Sequence, residues 1–266
     1  MTSKILMCSP DFYGIKYEIN PWMHVEIKSE QEFAITQWNN LYKILKDDIK
    51  ADIQIVKPEK DVPDMVFTAN AALIYNNKAI ISRFKYKQRQ PEEKYFAKWF
   101  EDNGYEVIWL PENIYFEGAG DALFLGDVLY SGYVPRTDIS SHNYIAELLG
   151  IQILSLELVN PNFYHLDTCF CPIEDGYLIY YPDAFDTYAN QVIEQNVPEE
   201  KRIIVNEEEA RAFTCNAVNV GKSVITNLTT KRFEKLLNEK GFNLYQTDLS
   251  EYMKAGGAAK CLTLKL

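Results

Sequence analysis

Asp121-Ala-Leu-Phe-Leu125, Gly126-Asp127, Val128-Leu-Tyr-Ser131 is the stretch on which the fold turns. Two short apolar runs flank a Gly-Asp pair, and such pairs favour the positive φ that a tight hairpin turn requires. The pattern recurs about every fifty residues, a spacing typical of repeat architectures. Asn70-Ala-Ala-Leu-Ile-Tyr75 turns at Asn76-Asn77-Lys78 into Ala79-Ile-Ile-Ser82. Asp167 to Ile173 turns at Glu174-Asp175-Gly176 into Tyr177-Leu-Ile-Tyr-Tyr181. Asn216-Ala-Val-Asn-Val220 turns at Gly221-Lys222 into Ser223-Val-Ile-Thr226.

Helical patterns fill the gaps. Phe96, Trp99 and Phe100 fall at i, i+3, i+4, as do Phe233, Leu236 and Leu237, the spacing of one helical face. Gly104, Gly150 and Gly241 each precede an apolar run, as glycine does where a left-handed residue closes a helix. A further helix is expected over about Glu30–Lys46, before Ile53-Gln-Ile-Val56. The repeating unit is therefore helix, glycine or short turn, strand, hairpin. Cys261-Leu-Thr-Leu-Lys-Leu266 supplies the first strand of a fifth hairpin, and Lys4–Cys8 can supply its second. A fifth unit split between the two ends closes a ring and removes exposed strand edges. The competing architectures are a four-bladed all-β propeller, against which the helices count, and an ordinary α/β sheet whose spacings agree by chance.

Composition bounds the rest. A chain of 266 residues, 47% hydrophobic with 12 Gly and 11 Pro, can bury roughly 70–75% of its unfolded surface and needs no staples. It is expected to form a single catalytic domain over residues 1–266. A net charge of -11 argues against nucleic acid or an anionic membrane as partner and suits a cationic substrate. No apolar run approaches the ~20 residues of a membrane span. Ile5-Leu-Met-Cys8 is shorter than a signal-peptide core, so a cytoplasmic location is expected. The five cysteines are scattered, Cys169-Phe-Cys171 is too tight for a usual zinc pair, and there are three histidines. Free thiols are expected, with neither disulfides nor a metal.

In a ring of hairpins, the residues that open each hairpin point at a common centre. Here these are Asn70, Asp121 with Glu117 nearby, Asp167 with His165, and Cys261. Glycines surround the two carboxylates of Phe116-Glu-Gly-Ala-Gly-Asp121 and permit close backbone approach. In a strand His165 and Asp167 would share a face. Gly256-Gly-Ala-Ala-Lys-Cys261 delivers a thiol from a loop of small residues. Singly, each has an ordinary alternative: a core histidine, carboxylates that cap turns, a cysteine that serves as a small apolar residue. That alternative is the expectation for Cys8, Cys169, Cys171 and Cys215. A thiol, an imidazole and carboxylates at related positions of one repeat favour an active site.

Five segments, Asn20-Pro-Trp-Met23, Pro63-Asp-Met-Val-Phe-Thr-Ala-Asn70, Phe116–Asp121, His165-Leu-Asp-Thr168 and the Gly-Gly…Cys261-Leu-Thr ending, resemble the guanidino-group-modifying superfamily, or penteins. It contains arginine deiminases, dimethylarginine dimethylaminohydrolases and amidinotransferases. The resemblance runs from about residue 4 to the last residue, with the motifs in order. It implies a five-bladed pseudosymmetric ββαβ propeller, an α/β fold, without cofactor or metal. It implies Cys261 as nucleophile, His165 as general acid/base, and Glu117 and Asp167 near the guanidinium. Asp121 joins them as a substrate contact, and Asn20 matches a substrate-contacting position. Arg89 and Arg136 match positions that hold the substrate α-carboxylate, although both could be solvated surface charges.

The implied chemistry suits the residues. A guanidinium is a resonance-stabilised cation that carboxylates hold through paired charge-assisted hydrogen bonds. A thiolate attacks its central carbon, an imidazolium protonates the departing amine, and the resulting thiouronium is hydrolysed. One departure is informative. The deiminases carry a carboxylate where this chain has Asn70, whose amide also accommodates a neutral ureido group. Pro63–Asn70 is most similar to arginine dihydrolases, which hydrolyse twice to ornithine. The expected activity is hydrolysis of free arginine or a close analogue to citrulline and ammonia, or onward to ornithine. The alternatives are a dimethylarginine dimethylaminohydrolase releasing dimethylamine, an amidinotransferase and a non-catalytic binding ring. The expected partner is a small cationic substrate, taken by a monomer or homo-oligomer.

Overall fold

A computed structural model describes residues 3–266. Its strands are β1 (Lys4–Cys8), β2 (Asp52–Val56), β3 (Ala72–Tyr75), β4 (Lys78–Ile81), β5 (Glu106–Trp109), β6 (Ala122–Leu125), β7 (Val128–Tyr133), β8 (Ile153–Glu157), β9 (Phe170–Ile173), β10 (Tyr177–Tyr180), β11 (Arg202–Ile204), β12 (Val218–Val220), β13 (Ser223–Thr226), β14 (Asn243–Gln246) and β15 (Leu264–Lys265). Its α-helices are α1 (Gln31–Lys43), α2 (Glu93–Asp102), α3 (Ser140–Leu149), α4 (Thr187–Asn196), α5 (Glu207–Arg211), α6 (Lys231–Glu239) and α7 (Ser250–Met253).

The strands form five separate three-stranded sheets. In four of them an antiparallel hairpin is followed by a helix and a parallel third strand, as in β3-β4-β5 and β6-β7-β8. The fifth is assembled from both ends of the chain: β15 lies antiparallel to β1, with Ile5 opposite Lys265 and Leu6 opposite Leu264, and β2 lies parallel on β1's other side. The protein is thus a five-bladed α/β propeller of repeated ββαβ units. The all-β and single-sheet alternatives are excluded.

The local code is as the patterns imply. Asn76, Gly126, Asp175, Gly176 and Gly221 have positive φ in the hairpin turns. Gly104, Gly150 and Gly241 have φ of +82, +65 and +80° just past α2, α3 and α6. The first helix is shorter than expected: α1 ends at Lys43 and continues as a π-turn over Ile44–Asp48. Helices α2 and α6 pack on their own sheets. Phe96 and Phe100 of α2 are buried against Ala79 and Ile81 of β4, and Phe233 and Leu237 of α6 against Val224 of β13. Each such side chain contributes about 1.5–3 kcal/mol of burial. The apolar clusters run between neighbouring blades, and the inner strands face the axis.

The repeat carries a small offset. A short 3₁₀ turn precedes β3, β6 and β9, at Thr68–Asn70, Gly118–Gly120 and Leu166–Thr168. The residues equivalent to Asn70 are thus Gly120 and Thr168. Asp121 sits one place later and Asp167 one place earlier, so the hairpin-opening residues do not all point alike. His165 precedes its turn in extended conformation and Asp167 lies within it, so the two share no strand face. They meet the site from successive turns of backbone. Among the described residues no helix is long and apolar enough to cross a membrane.

Candidate functional site

The thiol of Cys261 is fixed by one asparagine. Asn216, just before β12, donates from Nδ2 to Cys261 Sγ (3.1 Å) and to the Asp167 carbonyl (3.0 Å). Its Oδ1 accepts from the backbone amides of Ala258 (3.0 Å) and Cys261 (3.1 Å). The loop of small residues can lie this close because it lacks Cβ atoms at two places. A Cβ on Gly257 would stand 3.2 Å from Sγ, and one on Gly256, at φ +86°, 2.7 Å from the Tyr164 hydroxyl. On its other side Sγ lies 3.4 Å from Asp167 Oδ2. Asp167 Oδ1 is buried with no partner among the described residues. An orphaned carboxylate oxygen beside a thiol is a place for an incoming cationic donor.

His165 and Glu117 form the second half of the site. His165 Nε2 is 2.6 Å from Glu117 Oε2, and Arg136 Nη1 donates to the same oxygen at 2.9 Å. Glu117 is completely buried. Burial opposes its ionisation, yet the Arg136 guanidinium and the His165 hydrogen bond hold its carboxyl well below the usual range. Asp167 goes the other way: burial pushes it up to about 6, despite Lys260 and the contacts from Cys261 and Asn216. Burial and the Asp167 carboxylate push the Cys261 thiol well above its ordinary value, more than Asn216 offsets. The thiol is therefore neutral at rest and needs added positive charge to ionise.

Arg89 and Arg136 are 3% and 2% exposed, which rules out solvated surface charges. Their surroundings differ. Arg136 is sandwiched between the rings of Tyr86 and Tyr164, at 4.6 and 4.8 Å, and its Nε is unpartnered. Arg89 is gripped in bidentate fashion by Glu92 (2.9 Å twice) and donates to Asn70 Oδ1 (2.9 Å) and the Asp64 carbonyl (3.3 Å). Most of the Arg89 donors are thus engaged by the protein, and its side chain lines the same cleft as Cys261. Asn70 in turn donates to the Glu117 carbonyl at 3.1 Å.

Asp121 is bonded through both carboxylate oxygens. Oδ2 accepts from Thr137 Oγ1 (2.6 Å) and Oδ1 from the Leu166 amide (3.0 Å), while Thr137 Oγ1 accepts from the Glu117 amide (3.1 Å). Each oxygen of Asp121 thus ties a segment of the protein, the one leading from Glu117 and the one following His165. Asn20 folds its own turn, accepting from Trp22 and Met23 amides and donating to Ala255. It still lines a narrow cleft with Asp64, Asn70, Arg89, Arg136 and Cys261. His142, in contrast, is the core histidine of the chain, bonded to Ser155 and pushed down to about 4 by burial.

Residues 18–266 match the family described as N,N dimethylarginine dimethylhydrolase, eukaryotic. The N(G),N(G)-dimethylarginine dimethylaminohydrolase of Mycobacterium tuberculosis is 36% identical over 265 residues, covering 100% of this chain and 86% of that one. The chain belongs to the dimethylarginine dimethylaminohydrolase family. The bifunctional arginine dihydrolase/ornithine cyclodeaminase ArgZ of Synechocystis is 53% identical over 266 residues, 99% of this chain. The chain spans only 37% of ArgZ's length. The crystal structure of the N-terminal domain of ArgZ, a cysteine-to-serine variant bound to substrate and described as an arginine dihydrolase, superposes with a TM-score of 0.96 at 51% identity. That match covers 99% of this chain and 97% of the other.

For a dimethylarginine dimethylaminohydrolase family member, several polar groups around the thiol escape motif reading. Asn216 is visible only as the opener of the fourth hairpin. Asp64 lies inside a quoted motif but receives its place from the Tyr17 hydroxyl, 2.9 Å from Oδ2. Glu92, Thr137 and Tyr164 lie in none of the motifs: Glu92 pairs with Arg89 three residues before it, Thr137 with Asp121 of its own blade, and Tyr164 with the Gly256 carbonyl far along the chain. Among the described residues no group of three or more His, Cys, Asp or Glu could hold a metal ion, and all five cysteines are free.

Proposed function

We propose that the chain hydrolyses the guanidino group of free arginine, first to citrulline and then to ornithine, acting as one catalytic unit over residues 1–266. The observation that carries this is the thiol of Cys261 set between Asn216 and the half-unpaired carboxylate of Asp167, in a cleft whose Arg136 bonds the Glu117–His165 pair. The likeness to the ArgZ N-terminal domain supports arginine as the substrate.

Cys261 is the nucleophile and His165 the general acid/base, held by Glu117. The guanidinium pairs with Asp167, and its charge, with that of a protonated imidazole, favours the thiolate, the thiol proton passing to solvent water. The thiolate attacks the guanidino carbon. His165 protonates the amine that leaves as ammonia, then activates water against the thiouronium, and citrulline results. In the second round the thiolate attacks the ureido carbon, ammonia leaves again, and water releases a carbamate that decomposes to ornithine and carbon dioxide. Two waters are consumed and two ammonia formed per arginine. Asn70 supports the second round because its amide opposes no neutral ureido group, and Arg89 acts by fixing that amide. Arg136, with a free Nε, is the group for the substrate's α-carboxylate. Asn20 shapes the cleft and Asp121 positions the catalytic strands.

Incubation with arginine, with quantification of citrulline, ornithine and ammonia, tests this. Two ammonia per ornithine is expected. Citrulline as sole end product removes the second hydrolysis, and dimethylamine from asymmetric dimethylarginine without turnover of arginine reassigns the substrate.

A further inference from the structure

A cavity of about 450 Å³, separate from the catalytic cleft, lies within the ring. It runs along the axis, and the inner strand of every blade contributes to it: Leu73 of β3, Leu123 of β6, Cys171 of β9, Val218 of β12 and Leu264 of β15. At its inner end stands Lys260. The Lys260 ammonium has a single acceptor among the described residues, the Ala119 carbonyl at 3.4 Å. No carboxylate lies within ion-pairing distance of it there. A second cation, Lys265, lines the cavity and is exposed. Although the chain carries 38 acidic residues, the cavity walls contain no acidic side chain.

We propose that this axial cavity is a binding site for a small organic anion, a carboxylate on a short apolar tail, with Lys260 receiving the carboxylate. An under-bonded, half-buried ammonium against apolar walls is costly until an anion pairs with it. Burial disfavours the charged form of Lys260 accordingly, and an anionic occupant reverses that cost. The walls of Leu73, Leu123, Val218 and Leu264 suit an aliphatic tail. Lys260 adjoins Cys261 in the chain, and its charge bears on both the thiol and Asp167, so an occupant is expected to slow the catalytic thiol. The site does not depend on which guanidino compound is hydrolysed.

Isothermal titration of the intact chain with hexanoate, inorganic phosphate and hexylammonium tests the proposal. Saturable hexanoate binding is expected, weakened at least tenfold by Lys260→Gln, with no binding of hexylammonium. Ile74→Glu, at a half-buried position of the cavity wall, is expected to weaken hexanoate similarly while leaving Lys260 in place, which covers the case that Lys260→Gln does not fold. No saturable binding of any anion overturns the site. Hexanoate binding that neither variant weakens places the anion elsewhere and also overturns it. Phosphate binding as tightly as hexanoate overturns the choice of an organic anion.

Discussion

Asn216 and Asn70 show how much one amide decides at the residue scale. Asn216 ties the Cys261 thiol and amide, the Ala258 amide and the Asp167 carbonyl together. Asn216→Ala leaves those buried groups unpaired, at a cost of about 1–3 kcal/mol in stability. It is expected to lower kcat by roughly 100-fold, measured by ammonia release alongside thermal unfolding; a variant with wild-type kcat removes Asn216 from the positioning of the thiol. At Asn70, replacement by Asp removes the donor to the Glu117 carbonyl and places a carboxylate beside the reacting carbon. Asn70→Asp is expected to stop the reaction at citrulline, read as the ornithine-to-citrulline ratio. Cys261→Ala is expected to abolish ammonia release while unfolding within a few degrees of the parent. Any retained rate would exclude Cys261 as nucleophile.

At the scale of elements, the 3₁₀ turns that open the hairpins are built to bring neighbouring blades into contact. Gly120 is the clearest case. A Cβ there would lie 2.1 Å from Asn70 Nδ2, which cannot be accommodated without moving that amide. Gly120→Ala is expected to destabilise by about 1–3 kcal/mol, the usual cost of overpacking. Activity should fall further than stability, because Asn70 is displaced; denaturant melts and arginine turnover measured on one preparation separate the two. Phe100 answers for the blade interiors. It is fully buried, and Phe100→Ala should cost about 3–5 kcal/mol with little effect on KM among molecules that remain folded.

At the scale of the whole molecule, ring closure puts the site in its low-dielectric setting. Every acid near the thiol is buried, and burial raises Asp167 from its ordinary 3.8 to about 6. The sign follows from the charge the carboxylate must carry. Its anion pairs with a guanidinium, so activity on arginine is retained above this value and lost as pH falls through about 6. A plot of kcat/KM against pH that stays flat down to pH 5 would overturn that role for Asp167. The thiol behaves in the same sense at higher pH. Raised by burial and by Asp167, it should alkylate slowly with iodoacetamide, at a rate still climbing at pH 9.

Local chemistry in the chain determined the hairpins, their turns, the helices and the number of blades. Gly126-Asp127 bends by its own φ preference, and Phe96 and Phe100 share a face by helical spacing, whatever surrounds them. It also marked Cys261, His165, Glu117, Asp167 and Asn70, whose glycine-rich or repeat-related settings are visible within a few residues. Only the tertiary structure decided which side chains those residues would touch. Arg89 is spent on Glu92 and Asn70, Asp121 on Thr137 and the Leu166 amide, and Asn216 on a thiol from the next blade. The physical reason is distance along the chain. A turn or a helical face is settled among neighbours, and so is the Arg89–Glu92 pair three residues apart, whereas the Asp121–Leu166 and Asn216–Cys261 pairs are made only when separate blades close about one axis and exclude water from it.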